Sequence, residues 1–351
     1  MPQTNPKPTV KLDIDALSYG PYGIGRADGK VVMVLHTAPG DRIEAHIVEA
    51  KARYSLGEIV RIIAPSPLRK TPPCPYVGIC GGCSWQHLDY DAQLAAKQKS
   101  VDDALRRIAK LEGFELRPII ASANEFHYRR RIRLQVSADH RLGFHATASH
   151  RLVEIEDCLI ADDRLGKAIE TLRRWARPLN TNIEHVEIVV GDRPDELVAA
   201  VSAADAFVPR DEAACANLVG AAVRGLVVAD RNQRRTWGDP TITINVHGGL
   251  SLSVDADAFT QVNPEGNSRI LGEILGTGQF QESDRVLELY CGAGNFTLPI
   301  ARQSRDIIAV EGYRSAIANA KLNAQRNGVR NIHWISAPVP KAVTELKRRG
   351  E

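Results

Sequence analysis

Three thiols fall within ten residues in Cys74-Pro75-Tyr76-Val77-Gly78-Ile79-Cys80-Gly81-Gly82-Cys83, and a fourth, Cys158, follows downstream. Four thiolates are the usual complement of an iron–sulfur cluster or a structural zinc. The alternative, a disulfide pair, needs an oxidising compartment. The chain opens Met1-Pro2-Gln3-Thr4-Asn5-Pro6-Lys7-Pro8, which lacks the charged-then-apolar pattern of a secretory signal. The spacing therefore points to metal. The other two cysteines, Cys215 and Cys291, stand apart in apolar contexts.

A second chemistry-bearing stretch lies near residue 290. Arg285-Val286-Leu287-Glu288-Leu289-Tyr290 reads as a buried strand and runs into Cys291-Gly292-Ala293-Gly294-Asn295-Phe296-Thr297, then an apolar helix. A glycine turn between strand and helix aims free N–H groups at an anionic ligand and lets that ligand approach the backbone. The next apolar run, Ile307-Ile308-Ala309-Val310-Glu311, ends in a carboxylate 17 residues beyond Gly294. That is close to the spacing at which ribose hydroxyls are gripped. A pyrophosphate loop would carry a third glycine where this chain has Thr297. The pattern thus favours S-adenosylmethionine (SAM) over a dinucleotide.

A third candidate is His127-Tyr128-Arg129-Arg130-Arg131-Ile132-Arg133-Leu134-Gln135-Val136, read as a strand with a return strand at Leu142 to His145. Alternation places Arg129, Arg131, Arg133 and Gln135 on one face, and Arg130, Ile132, Leu134 and Val136 on the other. Guanidinium groups about 7 Å apart along a strand suit RNA phosphates, contacts that set affinity and not sequence choice. A salt-bridged structural strand is the alternative.

These residues need elements to position them. Residues 10–63 alternate apolar and polar positions between glycine turns, the pattern of a small β-barrel that is either oligonucleotide-binding or purely structural. The proline-rich segment 64–73 reads as a linker. Leu94, Gln98, Val101, Leu105 and Ile108 recur at helical spacing and predict an amphipathic helix, whose basic face is either RNA-facing or simply solvated. Helices at Asp163–Ala176 and Asp211–Leu218 and strands at Val186–Val190, Leu197–Ser202, Leu226–Ala229, Thr241–Val246 and Leu250–Val254 give an α+β middle without repeats. Three further strands near 285–290, 306–310 and 331–335 begin a Rossmann-like sheet. Apolar residues make up 44% and charged residues 25%, ordinary globular values. No apolar run approaches the roughly 20 residues of a membrane helix, so a cytoplasmic setting is expected. The net charge of +3 is too small to argue for nucleic acid by itself.

With the cysteines, Gln261-Val262-Asn263-Pro264 and the 287–297 loop in one order, the chain resembles the RNA 5-methyluridine (uracil-5-) methyltransferases, in particular their rRNA-acting iron–sulfur branch. The resemblance runs from about residue 8 to about residue 335. It implies a multidomain α/β protein: an OB-like TRAM β-barrel that binds RNA (8–65), a central α+β domain carrying the iron–sulfur site (66–260), and a Rossmann-like SAM methyltransferase domain (261–351). By the same resemblance Cys74, Cys80, Cys83 and Cys158 would hold a 4Fe–4S cluster. Gln261, Tyr290, Asn295 and Glu311 would contact SAM, with Gly292 and Gly294 shaping the loop. The RNA partner would be rRNA sooner than tRNA.

The chain departs from the family at its chemistry. A family enzyme adds a thiolate to uracil C6 so that C5 can take the methyl group, and a base then removes the C5 proton. The Asp-Pro-Pro-Arg-like and Ser-Cys-Asn-Pro-like stretches and the C-terminal glutamate are not found here, and no cysteine follows Cys291. No catalytic residue is therefore assigned. Cys291 reads as a small buried side chain behind the turn. The methyltransferase domain reads as incomplete, leaving Val286-Leu287-Glu288-Leu289 as an apolar edge that invites a partner strand. A truncated chain, half of a split enzyme and a non-catalytic iron–sulfur RNA-binding protein are the readings left open, as is zinc in place of the cluster.

Overall fold

The computed structural model describes residues 8–350, which pack as two compact units: residues up to Ala121 with His145–Val153, and Ser122–Phe144 with residues from Glu154 onward. This cuts the chain differently from a division at 65 and 260. Among the described residues no helix is long and apolar enough to cross a membrane.

In the first unit, strands β1 (Thr9–Leu17), β2 (Tyr22–Ala27), β3 (Lys30–Leu35), β4 (Arg42–Ala50) and β5 (Tyr54–Ala64) close a barrel in the order β1-β2-β3-β5-β4. Period-two alternation sends Leu12, Ile14, Val32, Val34, Ile43 and Ala45 inward, where they form its core. Gly25 is required by space, since a Cβ there would meet the Asp13 carbonyl oxygen at 2.6 Å.

The proline-rich segment after β5 is docked, which corrects its reading as a linker. Ser66 N and Arg69 Nε both donate to Asp41 Oδ1 (2.9 and 2.7 Å), and Arg69 Nη2 donates to Asp41 Oδ2 (2.6 Å). Asp41 is buried. Burial by itself would raise the pKa of its carboxyl, but the Arg69 guanidinium and the Ala38 and Ser66 N–H groups hold it below the usual range. Helix α1 (Tyr90–Asp103) forms as predicted and continues as a π-type turn over Ala104–Ile108. It buries none of its residues, and Ile108 is 82% exposed, so the apolar spacing there does not mark a core face. The two-residue strand β8 (Leu152–Val153) also belongs to this unit.

The second unit opens with β6 (Arg131–Val136) and β7 (Leu142–His145). β6 begins at Arg131, four residues later than the alternation suggested. Helix α2 (Asp163–Ala176) is capped by Asp162, whose Oδ1 accepts from Arg164 N at 3.0 Å, and buries Leu165, Ile169, Leu172 and Trp175. Strands β9 (Ile183–Val190), β10 (Leu197–Ala203), β11 (Gly225–Ala229) and β12 (Arg234–Gly238) extend the sheet in the order β12-β11-β10-β9-β6-β7, with helix α3 (Glu212–Leu218) between β10 and β11. Only the β10–β11 pair is parallel. β12 escaped the sequence reading because arginines occupy two of its five positions.

The hairpin β13 (Thr241–Val246) and β14 (Leu250–Asp255) turns at Gly248 and Gly249, both at positive φ. Helix α4 (Pro264–Thr277) follows, then β15 (Arg285–Leu289), α5 (Thr297–Ala301), β16 (Asp306–Glu311), α6 (Arg314–Arg326), β17 (Ile332–Ser336) and α7 (Val339–Arg349). The strands β15-β16-β17 form a parallel three-stranded sheet with β16 central. Its buried side chains Leu298, Ile307, Ala309 and Ile317 share one core with Ile242, Leu252 and Leu271.

Asparagines one helical turn apart on α6 take the role of a strand partner. Asn319, Asn323 and Asn327 each accept through Oδ1 from a β14 backbone N–H, at Asp255 (3.1 Å), Ser253 (2.8 Å) and Ser251 (3.1 Å). Asn323 Nδ2 also donates to the carbonyls of Ser253 and Ala293, each at 3.1 Å. This ladder fixes the hairpin and the 291–297 loop to one helix.

Candidate active site

The loop after β15 is built from left-handed backbone. Tyr290, Gly292 and Gly294 have φ of 63°, 56° and 96°, a region that glycine enters freely and tyrosine does not. A Cβ on Gly294 would come within 2.6 Å of Leu298 Cδ1, whereas one on Gly292 would meet nothing within 4 Å. Gly294 is thus demanded by packing. Gly292 faces open space, as a ligand cradle requires. Cys291 N donates to Val310 O (3.1 Å), and Gly292 N donates to Glu311 Oε2 (3.1 Å). The other Glu311 oxygen, Oε1, accepts from Tyr313 N at 2.8 Å.

Gln261, Tyr290, Gly292 and Asn295 line one cleft together with Asn245, Thr260 and Phe296. Gly294 and Glu311 do not line it. Gly294 is buried behind the turn, and Glu311 acts on the loop through Gly292 N. The elements behind the cleft are set by Asn263 and Pro264. Asn263 caps α4 by accepting from Gly266 N (2.9 Å), and Pro264 stands at the first helical position. The cap places Asn267 inside, where its amide and that of Asn295 exchange two hydrogen bonds of 2.8 and 2.9 Å.

Two ionisable groups sit behind the loop. The Glu288 carboxyl is pushed up to about 7 by burial. Cys291 is buried, and burial with the nearby Glu288 and Glu311 pushes its thiol up to about 12. A neutral thiol in that setting is no nucleophile.

Cys74, Cys80 and Cys83 are half-buried in the first unit, and Cys158 belongs to the second. Gly82 N donates to Cys80 Sγ at 3.4 Å, while Gly81 N donates to His145 O at 2.9 Å. Burial raises the Cys80 pKa, and the nearby Cys83 and Cys74 raise it further. Thiols that oppose one another's ionisation in this way suit a cation that relieves the repulsion. Among the described residues no three His, Cys, Asp or Glu side chains are gathered into a metal-ligand set.

The arginine row divides. Arg131 is turned inward: Nη1 donates to Glu187 Oε2 (2.8 Å) and Nη2 to the carbonyls of Ala256 (2.9 Å) and Ala258 (2.6 Å). It is the salt-bridged structural arginine of the alternative reading, which corrects its placement on an RNA face. Arg133 Nε donates to the other oxygen of Glu187 at 2.5 Å, yet its side chain is 57% exposed. Arg129 precedes the strand, half-buried, and its backbone bridges to Ala161.

Residues 242–345 match the family described as tRNA (Uracil-5-)-methyltransferase, and residues 6–60 match the TRAM domain. A 23S rRNA (uracil(1939)-C(5))-methyltransferase of Mannheimia succiniciproducens is 32% identical over 343 residues, covering 93% of this chain and 75% of the relative. An uncharacterized RNA methyltransferase of Synechocystis is 30% identical over 365 residues, covering 96% and 78%. The chain belongs to the RNA uracil-5-methyltransferase family. Its fold is that of the crystal structure of Pyrococcus abyssi tRNA (uracil-54, C5)-methyltransferase in complex with S-adenosyl-L-homocysteine, with a TM-score of 0.67 at 21% identity over 93% of this chain and 79% of that one.

In this member of the uracil-5-methyltransferase family, sequence reasoning missed Asn267, Asn323 and Arg130. The i, i+4, i+8 asparagines of α6 were a readable signal, since amides repeating on one helix face seldom do nothing. Nothing local marked Asn267. Arg130 was visible only as a charge on the apolar face of its segment.

Proposed function

We propose that this RNA uracil-5-methyltransferase family member is SAM-dependent and of the iron–sulfur, 23S rRNA-type branch. The observation that carries the reading is the cleft on which Gln261, Tyr290, Gly292 and Asn295 converge, with Glu311 holding the loop. The open space before Gly292 and the polar side chains of Asn245, Gln261 and Asn295 in a mainly apolar cleft fit SAM, which supplies an electrophilic methyl group when bound. Gln261, Tyr290 and Asn295 would contact it, Gly292 and Gly294 shape the loop, and Glu311 both braces the loop and keeps lone pairs for ribose hydroxyls.

Cys74, Cys80, Cys83 and Cys158 would hold a 4Fe–4S cluster. Methyl transfer to carbon needs no electron from it, so its role would be structural or RNA-shaping. The TRAM barrel with Arg129 and Arg133 would meet phosphates, and the rRNA activity named for the Mannheimia relative supports rRNA as the partner.

No nucleophile is assigned among these residues. No cysteine follows Cys291, and Cys291 itself is a buried neutral thiol. β15 is an edge strand in this sheet, with Leu287 and Leu289 exposed. A partner that pairs with this edge would bring the thiolate and the base. Tritium release from 5-tritiated uridine RNA with SAM tests this. The 351 residues alone are expected to release none, and release by them would refute the missing nucleophile. Binding of RNA without turnover, even with polypeptide carrying a Ser-Cys-Asn-Pro stretch supplied, would favour a non-catalytic iron–sulfur RNA-binding protein.

A further inference from the structure

Arg130 is 4% exposed, a charged residue deep in the second unit. Its backbone is fixed on both sides, with Arg130 N donating to Val262 O (2.8 Å) and Val190 N donating to Arg130 O (2.9 Å). The guanidinium meets a single carboxylate, Nη2 donating to Asp192 Oδ1 at 2.6 Å. The other Asp192 oxygen already accepts from Asn245 N at 2.6 Å. Arg130 Nε and Nη1 are buried and meet no acceptor among the described residues. Burial pulls the Arg130 pKa down while Asp192 opposes the shift, as expected of a cation whose solvent has been only partly replaced.

Native proteins pair nearly all of their buried polar groups, so two unmet N–H groups on one guanidinium ask for an acceptor from outside the chain. The surroundings say where it would sit. Arg130 lines the cleft of Gln261, Tyr290 and Asn295, and also a second, polar cavity bounded by Tyr128, Asp162, Arg164 and Asn263. Thr260, a cleft residue that is 5% exposed, likewise has a buried hydroxyl without a partner among the described residues. Among the described residues, a fixed cation that lines both cavities and a hydroxyl that lines the cleft thus stand unmet.

We propose that Arg130 is a binding residue for the target nucleotide, its Nε–H and Nη1–H donating to an oxygen of the extruded uridine, uracil O4 or its phosphate, with Thr260 Oγ1 bonding the same nucleotide. The inference rests on the RNA uridine reading above. A base must leave its stack before chemistry can reach C5. Uracil offers carbonyl acceptors to the guanidinium. O2 is common to uracil and cytosine, but at position 4 cytosine carries an amino group and would set donor against donor, which a buried site penalises heavily.

Fluorescence anisotropy of an oligoribonucleotide with one uridine, and of the same oligomer with cytidine at that position, would be measured over a salt series for the full chain and for Arg130→Gln and Arg130→Lys. Melting curves and S-adenosylhomocysteine titration monitor folding and the cofactor cleft. Arg130→Gln is expected to weaken binding of the uridine oligomer about tenfold or more, with partial rescue in Arg130→Lys. If uracil O4 is bound, the uridine preference disappears and the salt slope stays. If phosphate is bound, the slope falls by about 0.7 and the preference stays. A folded Arg130→Gln that binds RNA like the wild type, or that loses only S-adenosylhomocysteine, overturns the assignment. Should Arg130→Gln not fold, Thr260→Val carries the test, and unchanged RNA binding by it overturns the proposal. A wild-type chain that binds neither oligomer at low salt overturns the RNA reading itself, a separate outcome.

Discussion

Gly292 N donates to Glu311 Oε2 across 3.1 Å, joining the loop after β15 to the end of β16. These are adjacent parallel strands with Leu289 opposite Val310, so the bond closes the mouth between their carboxyl ends. Open α/β sheets bind ligands in that place. The same carboxylate accepts from Tyr313 N at 2.8 Å, which ties the start of α6 to the site.

Glu288 gives the second unit a pH dependence of definite sign. Burial raises its carboxyl from 4.5 to about 7, so between those values the folded state holds more proton than the unfolded one. Its contribution is therefore greatest below pH 4.5 and is lost as pH rises through about 7. The loss is about 3 kcal/mol. Urea unfolding near pH 5 and near pH 8 should show Glu288→Gln removing this dependence and gaining stability on the alkaline side. An unchanged pH dependence in the variant would contradict the buried-carboxyl account.

Asn323 is fully buried and bonds Ser253 N, Ser253 O and Ala293 O. Asn323→Leu leaves three backbone groups unmet and should cost about 3 kcal/mol or more. Asn319→Ala, which removes the one bond to Asp255 N, should cost about 1 kcal/mol. Chemical denaturation compares them directly, and equal costs would argue against the ladder as the element that fixes the loop.

Anaerobic reconstitution with iron and sulfide should turn the chain brown, with four irons per chain if the cluster is 4Fe–4S. Replacing Cys80 by Ser, or Cys158 by Ser, should abolish the colour, while Cys215→Ser should leave it unchanged. Colourless protein that takes up zinc in preference would overturn the cluster assignment and keep the metal site.

The barrel, the hairpin strands and the three parallel strands were legible because each alternates or runs apolar in its own period, and the helix around Asp163–Ala176 was legible because its buried residues recur on one face. The loop was legible for a different reason: Gly292, Gly294 and Glu311 are adjacent motifs whose chemistry is local. Long-range pairing was not. Whether an arginine faces RNA or a carboxylate depends on which strand lies beside it, and Glu187, 56 residues from Arg131, decides that case. Asn267 and Asn295 meet only once α4 is capped and docked, and no spacing in the chain encodes that contact.

The central claim is that the cleft at Gly292 and Asn295 is a SAM site braced by Glu311. Calorimetric titration of S-adenosylhomocysteine into the purified chain and into Glu311→Gln tests it most directly. The account predicts one site per chain and an affinity at least about tenfold weaker in the variant, which loses the charge of the brace and exchanges one of its two acceptor oxygens for a donor. Absence of binding to the folded wild-type chain, or equal affinity in both proteins, would contradict it.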